Sequence, residues 1–265
     1  MFNTVYPQIY SRDFITSRPS FIHEKNSAFA NVELVKLSSS AHYTLDGKPR
    51  SISNPDYTEL NLYFTVHLKN TASVNISFAV TAGVAAAVNG GGRKNYGDPW
   101  FWLQYRPVLN LPLELRLACN FNRWGDDSNL WPRDNKVDLG FAVSKSLNRL
   151  NFEGIVSYRI RGNLSEMEHL NFGDYDEMGN EIHYRGSCGY LIHKKYLLVL
   201  NLTGYNGGNK SLEGTEIPDS NSMKSTIGFD YIYKKESGDF KLFFLYDMKT
   251  RYDRKGRMFG IAKSF

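Results

Sequence analysis

From about residue 29 to the end of the chain, apolar and polar residues alternate with a period of two. In YTELNLYFTVHLK, Leu60, Leu62, Phe64, Val66 and Leu68 fall on one face; Glu59, Asn61, Tyr63, Thr65, His67 and Lys69 fall on the other. LELRLACNFNR sets Leu113, Leu115, Leu117, Cys119 and Phe121 against Glu114, Arg116, Ala118, Asn120 and Asn122. DFKLFFLYDMKTR sets Phe240, Leu242, Phe244, Tyr246 and Met248 against Lys241, Asp247, Lys249 and Arg251. Successive side chains of a strand point to opposite faces, so this pattern predicts strands; helical periodicity is almost absent. Roughly twelve strands of about 9 to 14 residues are expected. They lie near 29–43, 57–69, 73–88, 99–107, 112–123, 137–147, 150–161, 181–193, 195–206, 222–234, 238–250 and 256–265.

The connections between these segments alternate in length. Short links fall near Asn70, Leu109, Asn148, Lys194 and Glu236. Long ones are SSAHYTLDGKPRSISNPD, NGGGRKNYGDP, WGDDSNLWPRDNK, GNLSEMEHLNFGDYDEMGN and NGGNKSLEGTEIPDSNS. A soluble sandwich has no reason to sort its loops by parity. An outer-membrane barrel does, with tight turns in the periplasm and long loops outside. The expected fold is therefore all-β: a closed antiparallel transmembrane β-barrel over residues 29–265. Residues 1–28 do not alternate and carry Pro7 and Pro19. They are expected to be either a periplasmic tail or a plug in the lumen.

The segment GRMFGIAKSF places Phe259, Ile261 and Phe265 at alternate positions. It resembles the C-terminal signal read by bacterial outer-membrane assembly machinery, which implies that machinery as a partner through Phe265. YGDPWFWLQYRPVLNLPLELRLACNF, followed by VDLGFAVSKSLNRLNFEGIVSYRI, resembles the outer-membrane barrels associated with aromatic-degradation (phenol meta-pathway) operons. The Gly97–Asp98 pair that opens a strand carries part of that resemblance. It implies transport of small, in some cases aromatic, solutes and transfers no binding residue. A second resemblance is architectural, to narrow twelve-stranded channels for acidic sugars with basic tracks in the lumen.

Composition agrees without deciding. Apolar residues make up 42% of the chain and aromatics 14%, at a mean hydropathy of −0.42. No apolar run approaches the ~18 residues of a membrane helix. FAVTAGVAAAV, Phe78 to Val88, is the best candidate and is too short. A barrel alternates lipid-facing and lumen-facing residues, which dilutes every hydropathy average. The net charge of +5 comes without a basic run, so no nucleic-acid partner is expected. The start MFNTVYPQ lacks the basic and apolar regions of a signal peptide. A cytoplasmic protein and a mature exported chain both fit that start; the barrel pattern favours the second, in the bacterial outer membrane. The expected surroundings are outer-membrane lipid and lipopolysaccharide.

If the polar face lines a lumen, its basic residues are Lys69, Arg106, Arg116, Arg159, Arg161, Arg185, Lys224, Lys241, Lys249 and Arg251. The acidic ones, Glu59, Glu114, Asp138, Glu153, Asp230 and Asp247, are fewer. Arg159, Arg161, Arg185, Lys224, Lys249 and Arg251 would gather towards the outer mouth on one side. Such a stripe either enriches anions by focusing potential, or pairs with Glu153, Asp230 and Asp247 as a structural network, or contacts lipopolysaccharide. Trp100 and Trp102 fall on the polar face, as a stacking platform for a sugar or aromatic ring or as aromatic-girdle packing. The pore-lining candidates are thus Arg106, Arg116, Arg159, Arg161, Arg185, Lys224, Lys249, Arg251, Trp100, Trp102, Glu153 and Asp230.

Catalytic, metal and cofactor chemistry find little support. Cys119 and Cys188 fall on the lipid face, three strands apart, too far to bridge at ~4.8 Å per strand. The acidic loop with Glu166, Glu168, Asp174, Asp176 and Glu177 lacks calcium-loop spacing. NGGGRK precedes no helix and reads as no phosphate cradle. His183 and Ser187 share a face but sit ~13 Å apart along a strand, and there is no GxSxG. The sequence therefore points to a channel for small solutes, anionic or aromatic. The alternative is a closed barrel that binds ligands or adheres through its loops; an outer-membrane hydrolase comes third.

Overall fold

The structure, a computed structural model, describes residues 27–43, 49–50, 56–69, 76–87, 94–105, 113–120, 136–161, 179–193, 195–233, 240–251 and 254–264, with side-chain surroundings chiefly from residue 136 onward. The strands are β1 (Ser27–Tyr43), β2 (Pro49–Arg50), β3 (Asp56–Lys69), β4 (Ile76–Ala87), β5 (Lys94–Tyr105), β6 (Leu113–Asn120), β7 (Lys136–Leu147) and β8 (Leu150–Arg161). They continue with β9 (Glu181–His193), β10 (Tyr196–Gly207), β11 (Ser211–Leu212), β12 (Thr215–Glu216), β13 (Met223–Tyr233), β14 (Phe240–Arg251) and β15 (Arg254–Ser264). No described residue is helical. One antiparallel sheet runs β15-β14-β13-β10-β9-β8-β7-β6-β5-β4-β3-β1-β2, and β15 also pairs with β1. That last ladder matches Asn31 to Ser264 at one end and His42 to Arg254 at the other.

Each predicted strand segment overlaps an observed strand, with two departures between them. β5 begins at Lys94, inside the stretch expected to be a long loop. A register shift between Thr81 and Gly83 lets Tyr96 and Asn95 go on pairing with Val84 and Ala85. The stretch after β10 is also not plain loop. Ser211–Leu212 and Thr215–Glu216 pair as a small hairpin, turned by Glu213 (φ 50°) and Gly214 (φ 76°). Two successive residues with positive φ are what a tight primed turn requires. Residues 1–26 and Phe265, which carried the tail-or-plug and assembly-signal expectations, lie outside the described residues.

The two faces of the sheet invert the usual soluble pattern. Along β8 burial alternates residue by residue, with Ile155, Ser157 and Arg159 buried and Val156, Tyr158 and Ile160 exposed. On β10, Leu197, Val199 and Asn201 are buried while Leu198, Leu200 and Leu202 are exposed. Leu139, Phe141, Ile182, Phe229 and Phe259 are all about half exposed, at 47 to 56%. In water such a continuous apolar surface would be an association or membrane site. Cys119 and Cys188 are free thiols, and Cys188 shares the outward face of β9 with Ile182 and Tyr190.

The inward face is chiefly apolar near the short turns, with Asp230 and Lys241 set among the apolar residues, and chiefly charged farther along the strands. Towards the short turns, Leu197, Val199 and Ile232 pack together with Leu191 beside them. Phe243 and Leu245 are buried on the same face. They fit because glycines face them: Phe243 pairs with Gly260 and its ring lies where a Cβ on Gly260 would stand, and Leu245 occupies the corresponding space at Gly228. The aromatic at Phe243 therefore needs the glycine across the ladder. Gly260→Ala should force the ring off its rotamer and lower stability by ~1–3 kcal/mol. Adding Phe243→Leu should recover part of that loss, read as the urea midpoint of the folded protein.

Candidate functional site

The charged end of the inward face is built by register. Asp138, Arg159 and Glu181 stand in one row across β7, β8 and β9. Ser157, His183, Tyr205 and Lys224 form the next row towards the short turns, across β8 to β13. Directly opposite residues on neighbouring strands share a face and lie within side-chain reach. The alternation seen in the sequence thus becomes a set of transverse polar rows.

Their contacts form three chains. Arg159 donates from Nε and Nη2 to the two carboxylate oxygens of Asp138, at 2.7 and 2.8 Å. This is the two-pronged geometry that suits guanidinium and carboxylate. Arg159 Nη1 is 3.7 Å from Glu181. Glu181 also accepts from Arg161, at 2.8 Å, and from His183 Nε2, at 2.7 Å. The His183 ring stacks on Tyr205 with centroids 5.4 Å apart.

The second chain runs nearer the short turns. Arg185 lies 3.8 Å from Glu153 and donates to Asn201 at 3.1 Å. Asn201 donates to Asp230 at 3.1 Å, and Lys241 lies 3.2 Å from the same carboxylate, 5.1 Å above the Phe243 ring. In the third, Asp247 meets Lys224 at 3.2 Å and accepts from the Thr226 hydroxyl at 2.8 Å and the Gly256 amide at 2.9 Å. Asp138, Asn201, Asp230, Arg185, His183 and Lys241 are all at most 2% exposed. A buried charge is costly unless it is paired, and here each cation of the network lies against a carboxylate.

The sequence-derived candidates divide accordingly. Arg159, Arg161, Arg185, Lys224, Glu153 and Asp230 come together in the network. Lys249 does not join it. β13 and β14 shift register between Ser225 and Thr226, so Asp247 faces Thr226 while Lys249 faces Ser225 and Arg251 faces Met223. One extra residue, Met248, reverses the parity of everything after it. Lys249 is exposed, opposite in face to Asp247, and the expectation that it lines the polar face is corrected by this bulge; the side chain of Arg251 lies outside the described residues. Trp102 stands in the row of Ala118 and Asp138, Trp100 opposite Thr81 and Asn120, and Arg116 opposite Gln104 and Gly140. Their side chains, and Arg106 altogether, lie outside the described residues.

Sequence reasoning missed Glu181, His183 and Asn201 as members. Glu181 sits at the first position of its strand, where a loop reading competes, and its parity with His183 and Arg185 was the available signal. Ser157 faces His183 across the ladder, but its buried hydroxyl makes no hydrogen bond, and His183 Nε2 is committed to Glu181. The serine–histidine bond that activates a nucleophile is therefore not made here.

The fold is that of bacterial outer-membrane β-barrel channels. The chain superimposes on an outer-membrane channel from Pseudomonas putida F1 with a TM-score of 0.67, at 14% identity, covering 91% of this chain and 96% of that one. It is also similar to the NanC porin, with a TM-score of 0.56 at 12% identity, covering 89% and 98% respectively. No protein-family model matches the chain, and no curated protein matches it.

Removing one member of a buried pair strands the other. Asp138→Ala should lower stability by ~3–5 kcal/mol, whereas Asp138→Leu combined with Arg159→Met should restore most of it. Urea unfolding of the three proteins, followed by tryptophan fluorescence, checks this. Equal loss in the single and double variants would mean that the pair is not what holds β7 to β8.

Proposed function

We propose that this protein is a twelve-stranded, closed barrel in the bacterial outer membrane and a channel for small solutes. The observation that carries the reading is the inversion of the sheet, with large apolar residues outward and ion-paired residues inward, in a sheet whose first long strand pairs its last. Lipid accepts the outward face, and complete pairing leaves no backbone edge in hydrocarbon. Tyr196 stacks between Tyr231 and Tyr233 near the short turns, with centroids 6.0 and 5.2 Å away. Aromatics clustered at that level fit an interfacial girdle.

The pairing of the inner wall changes the expected selectivity. A basic stripe with no counter-charges would enrich anions, but Arg159, Arg161, Arg185, Lys224 and Lys241 each face a carboxylate within 2.7 to 3.8 Å. Paired charges in one plane cancel most of their field at a distance. The β7–β14 wall then orients polar solutes by hydrogen bonding more than it selects their charge. A preference for anionic or aromatic solutes would come from the wall that carries Arg116, Trp100 and Trp102.

A second reading has its own observation. Asp138, Arg185, Asn201, Asp230, Lys241 and Asp247 are buried on the inward face, and Leu197, Val199 and Ile232 pack together near the short turns. A lumen filled on this side would make a closed barrel whose extracellular loops bind ligands or surfaces. Planar-bilayer recording separates the two. The channel reading expects steady single-channel steps and a reversal potential near zero under a KCl gradient. Asp230→Asn, which leaves Lys241 short of its counter-charge, should shift that potential towards anion selectivity. A chain lacking residues 1–28 should conduct more than the full chain where that segment plugs the lumen. Silence of both chains would sink the channel reading in favour of the closed barrel.

A further inference from the structure

The outward face of the sheet is not evenly covered. Val143, Gly154, Gly186 and Leu202 form one transverse row across β7, β8, β9 and β10. The two central members are glycines, directly opposite each other, and a Cβ built on either would meet nothing within 4 Å. The next row towards the short turns is Lys145, Phe152, Cys188 and Leu200. Together the rows wall a groove of about 500 Å³ on the outward face, floored by the backbone at Glu153 and Ser187. On the row above Gly186, Tyr184 leans away, its hydroxyl 2.7 Å from Ser225 and its ring over Gly204. The groove is thus left open towards the middle of the sheet.

Lys145 gives the groove a polarity. It is exposed on the outward face, yet Val143 and Leu147 flank it along the strand and Phe152 lies opposite. Leu147 is the row nearer the turn, so the lysine lies ~7 Å inside the apolar band. A cation on a lipid-facing surface is costly unless it reaches water or an anion. The exposed turn residue Arg149 stands beyond it, two residues past Leu147. Two cations at one end and an apolar trough running away from them match a molecule with an anionic head and a hydrocarbon tail. The volume falls in the range of about 300–1,000 Å³ usual for small-ligand sites.

The geometry points to a phospholipid-binding site on the outside of the wall. Its phosphate lies between Lys145 and Arg149, and one acyl chain runs in the groove over Gly186 and Gly154. Its chemical class is an anionic glycerophospholipid of the periplasmic leaflet, because the basic end is the short-turn end. The site rests on the membrane-barrel reading above. It is independent of whether the lumen conducts, since the groove lies on the opposite face of the sheet from the ion-paired network.

The test is native mass spectrometry of the full chain, refolded in detergent with equal amounts of phosphatidylglycerol and phosphatidylethanolamine. One phospholipid should be retained per chain, with phosphatidylglycerol preferred at least five-fold. Gly186→Leu, which fills the groove, should abolish retention, and Lys145→Gln should remove the headgroup preference while leaving the tail bound. Leu200→Trp, filling the same space from the next row, covers the case in which Gly186→Leu does not fold. No retained lipid, or equal retention by the filled variants, overturns the site. A lipid-free dimer that Gly186→Leu dissolves would assign the groove to a second copy and overturn it as well. Heat-modifiable gel mobility of the same samples reports the barrel reading separately: a band unchanged by boiling would fail that reading, whatever the lipid result.

Discussion

The pairing of β1 with β15 is the constraint on which the rest of the molecule depends. An antiparallel sheet with two open edges exposes a row of unpaired amides and carbonyls at each end. In hydrocarbon each such group costs several kcal/mol. Matching Asn31 to Ser264 and His42 to Arg254 gives the last strand a partner in the first. With that ladder in place, a face of the sheet can be apolar and exposed without an open backbone edge beside it. Without that ladder, Phe229, Phe141 and Phe259 would form an association surface on an incomplete sheet.

The inner wall follows from the same register. Each described strand turns every second residue inward, and most of those residues bury one another. Nature of the side chain then matters row by row. Near the short turns Leu197, Val199, Ile232 and Phe243 satisfy the space by packing, helped by Gly228 and Gly260. Farther along the strands the same space is filled by arginines and carboxylates, and Asp230 and Lys241 enter the apolar end beside Val199 and Ile232; such charges coexist only as pairs. Arg159 with Asp138, Arg185 with Glu153 and Lys241 with Asp230 each join neighbouring or nearby strands. The network is therefore a side-chain ladder reinforcing the backbone ladder, and it leaves the described wall nearly neutral. The groove at Gly154 and Gly186 is the outward counterpart, a place where side chains are withheld from a face that is otherwise continuous.

How much of this was legible in the sequence depends on the range of the interaction involved. Period-two alternation is local, so the strands and the two faces of β6, β8 and β10 could be read directly. Loop parity is nearly local too, and it indicated an antiparallel meander. The groups that meet in the network were partly legible: Arg159, Arg161, Arg185, Glu153 and Asp230 could be assigned a face because no irregularity intervenes in their strands. Lys249 could not be. A single extra residue at Met248 reverses the parity, and nothing in DFKLFFLYDMKTR marks it.

By itself, the sequence determined the strand-forming pattern, the antiparallel order and the separation of an apolar from a polar face. All of these come from residues a few positions apart. Only the tertiary structure decided which charges neutralise which. Arg159 and Asp138 are 21 residues apart, and they meet because the β7–β8 turn sets a register that composition does not encode. It likewise decided that Lys241 sits beside Asp230 and over Phe243, and that two glycines from different strands face each other. A basic stripe and a neutral ladder have the same amino-acid content. The difference is a matter of a few ångströms across strands, and distances across strands exist only once the sheet has formed.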